Sequence, residues 1–143
     1  NSHNHQMFGS VTEYFYKFLA GIQSPMEGNT AKGYRQIHIE PHVPQELDFV
    51  NASVEIVSGK VVSNWKKEGG GAFTHEVAIP ANTTATVILP VSGGESATVF
   101  EENEKIWENN SFVGGVSGIH EMTRENDRLI LKIGSGKYRF RVE

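Results

Sequence analysis

The spacing of apolar residues changes once along this 143-residue chain, near Gly33. Upstream of that glycine they recur every three or four residues, which predicts an α-helix. Downstream they alternate with polar residues in roughly eight to ten short runs separated by turn residues, as in YRQIHIE and FTHEVAI. Because the sequence offers no second helix to connect parallel strands, this pattern favours an antiparallel sandwich or barrel over a parallel α/β fold. We therefore predict a mainly β protein, an antiparallel β-sandwich preceded by one N-terminal helix.

The predicted helix covers residues 7–22 and has an unusually wide apolar face. Its large apolar side chains span an arc of roughly 140°, whereas about 100° suffices for a helix on a protein surface. Gly21 or Gly28, with Pro25 between them, is expected to end the helix. Exposure of this face to water would promote aggregation, so the helix must pack against the sandwich edge or a helical domain. The side chains concerned are Met7, Phe8, Val11, Tyr14, Phe15, Phe18, Leu19 and Ile22.

The C-terminal run DRLILKIGSGKYRFRVE predicts a β-hairpin. Alternating apolar residues precede and follow Gly134-Ser135-Gly136, a sequence typical of a tight turn. We expect both runs to point these residues into the core and the cations of the second run into solvent. The residues are Leu129, Leu131 and Ile133 before the turn, Tyr138, Phe140 and Val142 after it, and the cations Lys137, Arg139 and Arg141.

Composition argues against several classes of function. The net charge is −4, from 13 basic and 17 acidic residues without a basic cluster, so nucleic-acid binding is not expected. No apolar run approaches the roughly 18 residues that a membrane-spanning helix requires. Cysteine is absent, which excludes disulfides, thiol catalysis and cysteine-ligated zinc but leaves the cellular compartment open. We expect no cofactor and no membrane partner.

Several motifs resemble bacterial α-L-rhamnosidases, the family 78 glycoside hydrolases. The opening stretch SHNHQMFGSV and the following EYFYKFLAGI resemble the closing segment of their catalytic domain. The remainder resembles their C-terminal β-sandwich domain through GYRQI, GKVVSNW, IPANTTATV and GSGKYRF. The resemblance covers nearly the whole chain, and the motifs occur in the order that the family has.

This resemblance implies three parts. Residues 1–24 would be the last helix of an α/α-barrel catalytic domain, residues 25–33 a linker, and residues 34–143 a jelly-roll-like accessory sandwich. The family removes terminal α-L-rhamnose with inversion, using a glutamic acid as proton donor and a second glutamate to activate water. Both glutamates would lie upstream of Asn1. The chain is therefore expected to be a C-terminal fragment that lacks catalytic residues and is inactive alone.

The same resemblance assigns substrate binding to His5, with Asn4 beside it. At the start of a barrel helix, unpaired backbone N–H groups and the positive end of the helix dipole favour ligand oxygens. A neutral imidazole can donate to one sugar hydroxyl and accept from another. Asn4 is expected to cap the helix or to orient His5. The alternative is that His5 is a solvated histidine at the start of a surface helix.

Metal binding is the weaker interpretation of the histidines. His3 and His5 could join His38 and His42, but the sequence has no HExxH motif and no closed ligand set. We therefore predict no metal site. Three strand glutamates could be mistaken for paired catalytic carboxylates, but the alternation of their strands predicts outward, solvated positions; they are Glu40, Glu55 and Glu76.

Trp65 and Trp107 separate two hypotheses about function. In an accessory sandwich of a glycosidase they are core residues, the more common position for a tryptophan in an alternating strand. In an autonomous carbohydrate-binding sandwich they would be exposed platforms that stack on sugar rings. A purely structural interaction module is a third possibility. The expected partners are the remainder of the barrel and a rhamnose-containing glycan, and a dimer through the N-terminal helix is left open.

Overall fold

The computed structural model describes residues 19–23, 35–91 and 94–143. These residues form twelve β-strands and two single-turn 3-10 helices, Gly69–Gly71 and Gly94–Ser96. The strands are β1 (Ile22–Gln23), β2 (Arg35–Ile39), β3 (Phe49–Ile56), β4 (Gly59–Lys67), β5 (Phe73–Ile79), β6 (Thr83–Pro90), β7 (Val99–Glu101), β8 (Glu104–Glu108), β9 (Ser111–Phe112), β10 (Ile119–Glu125), β11 (Arg128–Ile133) and β12 (Gly136–Val142).

The strands form two sheets that enclose one hydrophobic core, which confirms the predicted β-sandwich. The five-stranded sheet has the order β1-β2-β6-β11-β10, and the seven-stranded sheet has the order β3-β4-β5-β12-β7-β8-β9. Neighbouring strands are antiparallel except β2 and β6, which are parallel. Three strands of the opposite sheet lie between β2 and β6 in sequence, so the chain leaves the five-stranded sheet and returns to it in the same direction.

Alternation along the strands selects the residues of the core, as predicted. On β5 the side chains of Phe73, His75, Val77 and Ile79 are all buried on one face. Trp65 on β4 is 1% exposed and Trp107 on β8 is 3% exposed, so both tryptophans are core residues. Neither tryptophan is therefore available as an exposed platform for a sugar ring.

The predicted C-terminal hairpin is wrong. β11 pairs with β6 and β10 in the five-stranded sheet, whereas β12 pairs with β5 and β7 in the seven-stranded sheet. Gly134 and Ser135 therefore carry the chain across the core from one sheet to the other. The Tyr138 hydroxyl donates a hydrogen bond to the carbonyl oxygen of Gly134 (2.9 Å), and the Gly134 N–H donates to the carbonyl of Gly118 (2.8 Å).

Two features explain the crossing. Period-two alternation points apolar side chains into the core whether two strands pair side by side or face each other across it, so the pattern alone does not distinguish these arrangements. Gly118 has a φ of +89°, and a Cβ there would lie 2.2 Å from the Tyr138 hydroxyl oxygen. This close approach of Tyr138 to the backbone is possible only beside glycine. The inward and outward faces of β12 are nevertheless as predicted: Tyr138, Phe140 and Val142 are buried.

The predicted helix over residues 7–22 is corrected at its C-terminal end. Residues 7–18 lie outside the described part of the chain, but Ile22 belongs to strand β1 and not to a helix. Gly21 has a φ of +80°, and a Cβ there would lie 2.2 Å from the carbonyl carbon of Glu40. This left-handed backbone at Gly21 is a conformation that ends helices, whereas Gly28, the other glycine expected to end the helix, lies outside the described residues.

The strands of both sheets run between two opposite ends of the sandwich. We call the end where β4 and β6 terminate and β5 begins the proximal end; Lys67, Phe73 and Pro90 mark it. The distal end lies at the opposite strand termini and carries Gly59 and Ile79. Leu19 lies towards the proximal end, and the place where residues 19–23 meet the two sheets is the candidate site.

Candidate functional site

Residues 19–23 bring the chain into the sandwich along the edge of the five-stranded sheet. β1 pairs with β2 so that Ile22 lies opposite Ile39 and Gln23 lies opposite His38. The Glu40 N–H donates to the carbonyl oxygen of Gly21 at 2.9 Å, which extends the pairing by one hydrogen bond. The segment is thus an added edge strand held by backbone hydrogen bonds.

Two side chains of the opposite sheet bind the same segment. The indole Nε1–H of Trp65 donates to the carbonyl oxygen of Leu19 at 2.6 Å. The hydroxyl of Ser63 donates to the carbonyl oxygen of Ala20 at 2.7 Å, and both Ser63 and Ala20 are completely buried. Ser63 and Trp65 are two residues apart on β4, so both point inward and reach consecutive carbonyls. The segment is therefore clamped between the two sheets.

His75 completes this arrangement from the neighbouring strand β5. Its Nε2 lies 2.8 Å from the Ser63 hydroxyl oxygen. A serine hydroxyl has one proton, and the Ala20 carbonyl can only accept, so the Ser63 proton is committed to that carbonyl. His75 must then carry its proton on Nε2 and donate it to Ser63. We call Ser63, Trp65 and His75 the buried anchor.

The electrostatics of His75 suit a structural role. Its side chain is fully buried, and burial lowers the pKa from 6.5 to about 3, so the ring is neutral near pH 7. Among the described residues, none makes a hydrogen bond to Nδ1. A serine next to a histidine can be a catalytic pair, but there the imidazole accepts the serine proton and a third group orients it. The proton arrangement here is the reverse, so Ser63 is not activated as a nucleophile.

A second group of polar side chains lies beside the anchor on the five-stranded sheet. Glu40 accepts a hydrogen bond from Arg128 at 2.7 Å and lies 3.2 Å from Nε2 of His38. Partial burial raises the pKa of the Glu40 carboxyl, but hydrogen bonds from Arg128 and His38 and their charges outweigh it and hold the pKa below its usual value. We call His38, Glu40 and Arg128 the ion-pair cluster. It fixes the backbone at Glu40, which in turn binds Gly21.

The three glutamates flagged from sequence do not form a catalytic pair. Glu55 is exposed, and Glu76 is half-exposed beside Arg139 at 3.7 Å, as predicted. Glu40 differs from the expectation, because its side chain is only 33% exposed and is ion-paired after the end of β2. Its side chain contacts Arg128 and His38 of the same sheet, and these contacts hold the loop that meets Gly21.

The sequence-predicted substrate residues His5 and Asn4 lie outside the described residues, as do His3 and residues 25–33 of the predicted linker. His42 is exposed, whereas His38 belongs to the ion-pair cluster. Within residues 19–23, 35–91 and 94–143, no three His, Asp or Glu side chains are arranged to hold a metal ion. No helix in the described part of the chain has the length and hydropathy to span a membrane.

Sequence reasoning did not identify the buried anchor, although the sequence contains a signal for it. Ser63 interrupts the inward apolar series of β4, and His75 interrupts that of β5. A polar residue in a core-facing position must find a hydrogen-bond partner. The register places Trp65 directly opposite His75, which brings the two interruptions together. The unpredicted element was the third partner, the backbone of Ala20.

Comparison with known proteins identifies the domain. Residues 21–104 match the family described as the bacterial alpha-L-rhamnosidase C-terminal domain. The chain belongs to this family. The match begins at Gly21, directly after the two carbonyls that the buried anchor holds, so the family domain begins where the sandwich receives the preceding chain.

Relatives of this C-terminal domain are found in much longer proteins. An alpha-L-rhamnosidase of Streptomyces avermitilis is 30% identical over 142 residues, which are 99% of this chain and 12% of that protein. One from Formosa agariphila is 34% identical over 103 residues, 72% of this chain and 10% of the relative. The solved alpha-L-rhamnosidase from Dictyoglumus thermophilum superposes with a TM-score of 0.75 at 30% identity, and the match covers all of this chain and 14% of that one. The chain therefore spans about a tenth to a seventh of the length of these proteins.

Proposed function

We propose that this C-terminal domain is the structural support of a catalytic domain that precedes it in an α-L-rhamnosidase. The observation that carries the proposal is the clamp on the entering chain: Trp65 and Ser63 bind the carbonyls of Leu19 and Ala20. Side chains from the interior of the sandwich are used to fix the position of the segment that connects it to whatever lies upstream. The lengths of the relatives support an upstream domain of large size.

The chemistry is proposed to occur upstream of this chain. The catalytic domain would remove terminal α-L-rhamnose with inversion, through a glutamic acid that protonates the leaving oxygen and a glutamate that activates water. Inversion requires the two carboxyl groups to lie about 6.5–9.5 Å apart, so that a water molecule fits between base and sugar. In this proposal the described residues contribute no catalytic group, and a rhamnose-containing glycan is the substrate of the whole protein.

His5 and Asn4 are proposed as the residues of this chain that reach the substrate. Residues 1–24 would comprise the last barrel helix followed by strand β1, residues 25–33 the linker, and residues 34–143 the main body of the sandwich. His5 would hydrogen-bond a rhamnose hydroxyl, and Asn4 would orient it. The clamp supports this role, because a residue upstream of a fixed Leu19 can be positioned precisely.

The rival function, an autonomous carbohydrate-binding sandwich, has little support in the described residues. Both tryptophan rings are buried and offer no stacking surface. A groove of about 390 Å³ on the outer face of the five-stranded sheet is one place where such binding could occur; its polar lining residues are Gln36, Thr84, Thr86, His120 and Lys132. Saturable binding of rhamnose-containing oligosaccharides to the 143-residue chain, lost on Lys132→Ala, would favour the rival.

One kinetic experiment tests the proposed function. The full-length parent, its His5→Ala variant and the 143-residue chain are assayed with an aryl α-L-rhamnoside. We expect turnover by the parent, no turnover by the 143-residue chain, and about a hundredfold lower kcat/KM for His5→Ala, a loss of about 2.7 kcal/mol in the transition state. Turnover by the 143-residue chain would contradict the location of the catalytic groups. An unaffected His5→Ala variant would remove His5 from the substrate site.

A further inference from the structure

The direction in which the chain arrives is fixed by two independent sets of contacts. In the pairing of β1 with β2, Gln23 lies opposite His38 and Ile22 lies opposite Ile39, so earlier residues lie progressively nearer the proximal end. A Cβ on Gly21 would lie 2.3 Å from the nitrogen of Pro41, the next step in the same direction. From Gln23 back to Leu19, the chain therefore runs towards the loop that follows Pro41.

The carbonyl contacts on the opposite sheet give the same direction. Ala20 is bound by Ser63 in the middle of β4, and Leu19 is bound by Trp65, one step closer to the end of that strand at Lys67. Moving backwards along the chain from Ala20 therefore leads towards the proximal end. Both sets of contacts therefore place Leu19 on the proximal side of Ala20.

That surface contains an open groove between the two sheets. The groove has a volume of about 620 Å³, and its apolar lining comes from Val43, Phe73, Pro90 and Val91. Phe73 also stacks on the ring of Trp65, with centroids 6.0 Å apart and planes inclined by 30°. The groove and the buried anchor thus share one aromatic stack, so the groove continues the surface that already binds Leu19. We call it the proximal groove.

The sequence just upstream matches the chemistry of this groove. Residues 14–18 are YFYKF, four aromatic rings and one lysine, and they connect directly to Leu19. An apolar groove gains about 25 cal/mol for each Å² of apolar surface that it removes from water. The groove lining also contains two carboxylates, Glu68 and Asp127, which complement the charge of Lys17, and the cation Lys67, whose ammonium group donates a hydrogen bond to the carbonyl of Pro44.

We propose that aromatic side chains on one face of segment 14–18 occupy the proximal groove, so that the sandwich binds the preceding domain through them as well as through the carbonyls of Leu19 and Ala20. This inference deepens the proposed function by naming the docking surface and its occupant, and it rests on the proposed function in taking that segment as part of the preceding domain. The proposed occupant belongs to the same polypeptide. It directly precedes Leu19 and Ala20, whose carbonyl oxygens are already bound by Trp65 and Ser63.

Chemical cross-linking tests the proposal directly, because the chain contains no cysteine. The pair Phe18→Cys with Val43→Cys joins the segment to the groove. Phe18→Cys with Val57→Cys is the control, since Val57 is an 86% exposed valine in the β3–β4 turn at the distal end. Asp127→Cys on the exposed rim replaces Val43→Cys should the latter destabilise the fold. Each pair is treated with a short bis-maleimide and separated by denaturing electrophoresis and mass spectrometry.

We expect an intrachain cross-link for the groove pairs with a yield at least about tenfold above the control, because tethered groups that meet have a high effective concentration. A cross-link that joins two chains would assign the groove to a second copy and overturn the proposal, as would equal yields for groove and control pairs. The cross-link yield is measured without any assay of rhamnoside hydrolysis. A failed cross-link therefore leaves the proposed function standing, and an inactive parent leaves the cross-link interpretable.

Discussion

The buried anchor and the ion-pair cluster hold the same length of chain by different means. The anchor uses neutral donors inside the core, Ser63 and Trp65. The cluster lies near solvent and uses the charged pair of Glu40 and Arg128, with His38 hydrogen-bonded to Glu40. Hydrogen bonds in a buried interior are costly to break, because the donor or acceptor that remains cannot form a replacement hydrogen bond with water. Exposed ion pairs are screened by salt and contribute little. The comparison indicates that the anchor supplies the strength of the attachment and the cluster its local geometry.

The strongest test of the anchor is Ser63→Ala. It leaves the Ala20 carbonyl and the His75 Nε2–H without a partner in the core, and we expect a loss of about 2–4 kcal/mol in the free energy of unfolding. Ser53→Ala, at an exposed position of the neighbouring strand β3, is the matched control and should change that free energy by less than about 0.5 kcal/mol. Urea denaturation of both variants measures the difference. Equal stabilities would contradict the role of Ser63.

The buried anchor and the ion-pair cluster should lose their contributions to the free energy of unfolding at different pH values as the solution is acidified. The folded-state pKa of His75 is lowered from 6.5 to about 3, so the unfolded chain binds a proton there that the folded chain does not. Stability therefore falls as the pH drops below 6.5, by about 2 kcal/mol at pH 5. The lowered pKa of Glu40 stabilises the fold at neutral pH, and this contribution is lost only below 4.5.

Unfolding free energies measured between pH 7.5 and pH 4 check this order. We expect the decline to begin near pH 6.5 and to be removed between pH 6.5 and 4.5 by His75→Gln, which has no titrating ring. Should the wild-type decline persist unchanged in that variant, another group is responsible and the assignment to His75 is wrong.

The two tryptophans allow the hydrogen bond to Leu19 to be isolated. Both are buried, but among the described residues only the indole N–H of Trp65 has an acceptor, and that of Trp107 has none. Trp→Phe removes similar volume at both sites. Trp65→Phe should therefore cost about 1 kcal/mol more than Trp107→Phe, the net contribution of one buried hydrogen bond. Calorimetric unfolding measures this difference, and equal costs would mean that the Leu19 contact contributes nothing.

The smallest effect is expected in the ion-pair cluster. Glu40→Gln keeps the shape of the side chain but removes its charge, so the unfolding midpoint should fall slightly at low ionic strength. At about 1 M salt, where charges are screened within roughly 3 Å, the wild type and the variant should coincide. Glu55→Gln, at an exposed position of β3, serves as the control. A Glu40→Gln effect as large as that of Ser63→Ala, or one insensitive to salt, would reverse the ranking of the two regions.

The sequence predicted the class of the fold because alternation depends only on which face of a strand is buried. This held for the inward series of β5 and for both tryptophans. It failed where a long-range choice was needed: β11 and β12 alternate as a hairpin would but belong to opposite sheets, and the parallel pairing of β2 with β6 leaves no local signal. Ile22 continued the helical spacing, yet the left-handed backbone at Gly21 places it in a strand.

The site was predictable only in part. Polar residues at core-facing positions, Ser63 and His75, could be identified from sequence as needing partners. Their common partner, the Ala20 carbonyl, is 43 residues from Ser63 in sequence and carries no side-chain signature. The family motif GKVVSNW contains both Ser63 and Trp65, but the resemblance alone gave no reason for these residue types. The structure supplies that reason: Ser63 and Trp65 are two positions apart on β4, and their side-chain donors reach the consecutive carbonyl oxygens of Ala20 and Leu19.

The central proposal is that the sandwich stabilises the domain that precedes it by binding the backbone of Leu19 and Ala20. It is tested most directly in the proposed α-L-rhamnosidase parent, by comparing the half-life of rhamnoside hydrolysis at elevated temperature between its Ser63→Ala and Ser53→Ala variants. We predict a several-fold shorter half-life for Ser63→Ala and no change for Ser53→Ala. If Ser63→Ala destabilises the sandwich while the half-life of the activity stays that of the unmodified enzyme, the grip does not support the catalytic domain and the account is contradicted.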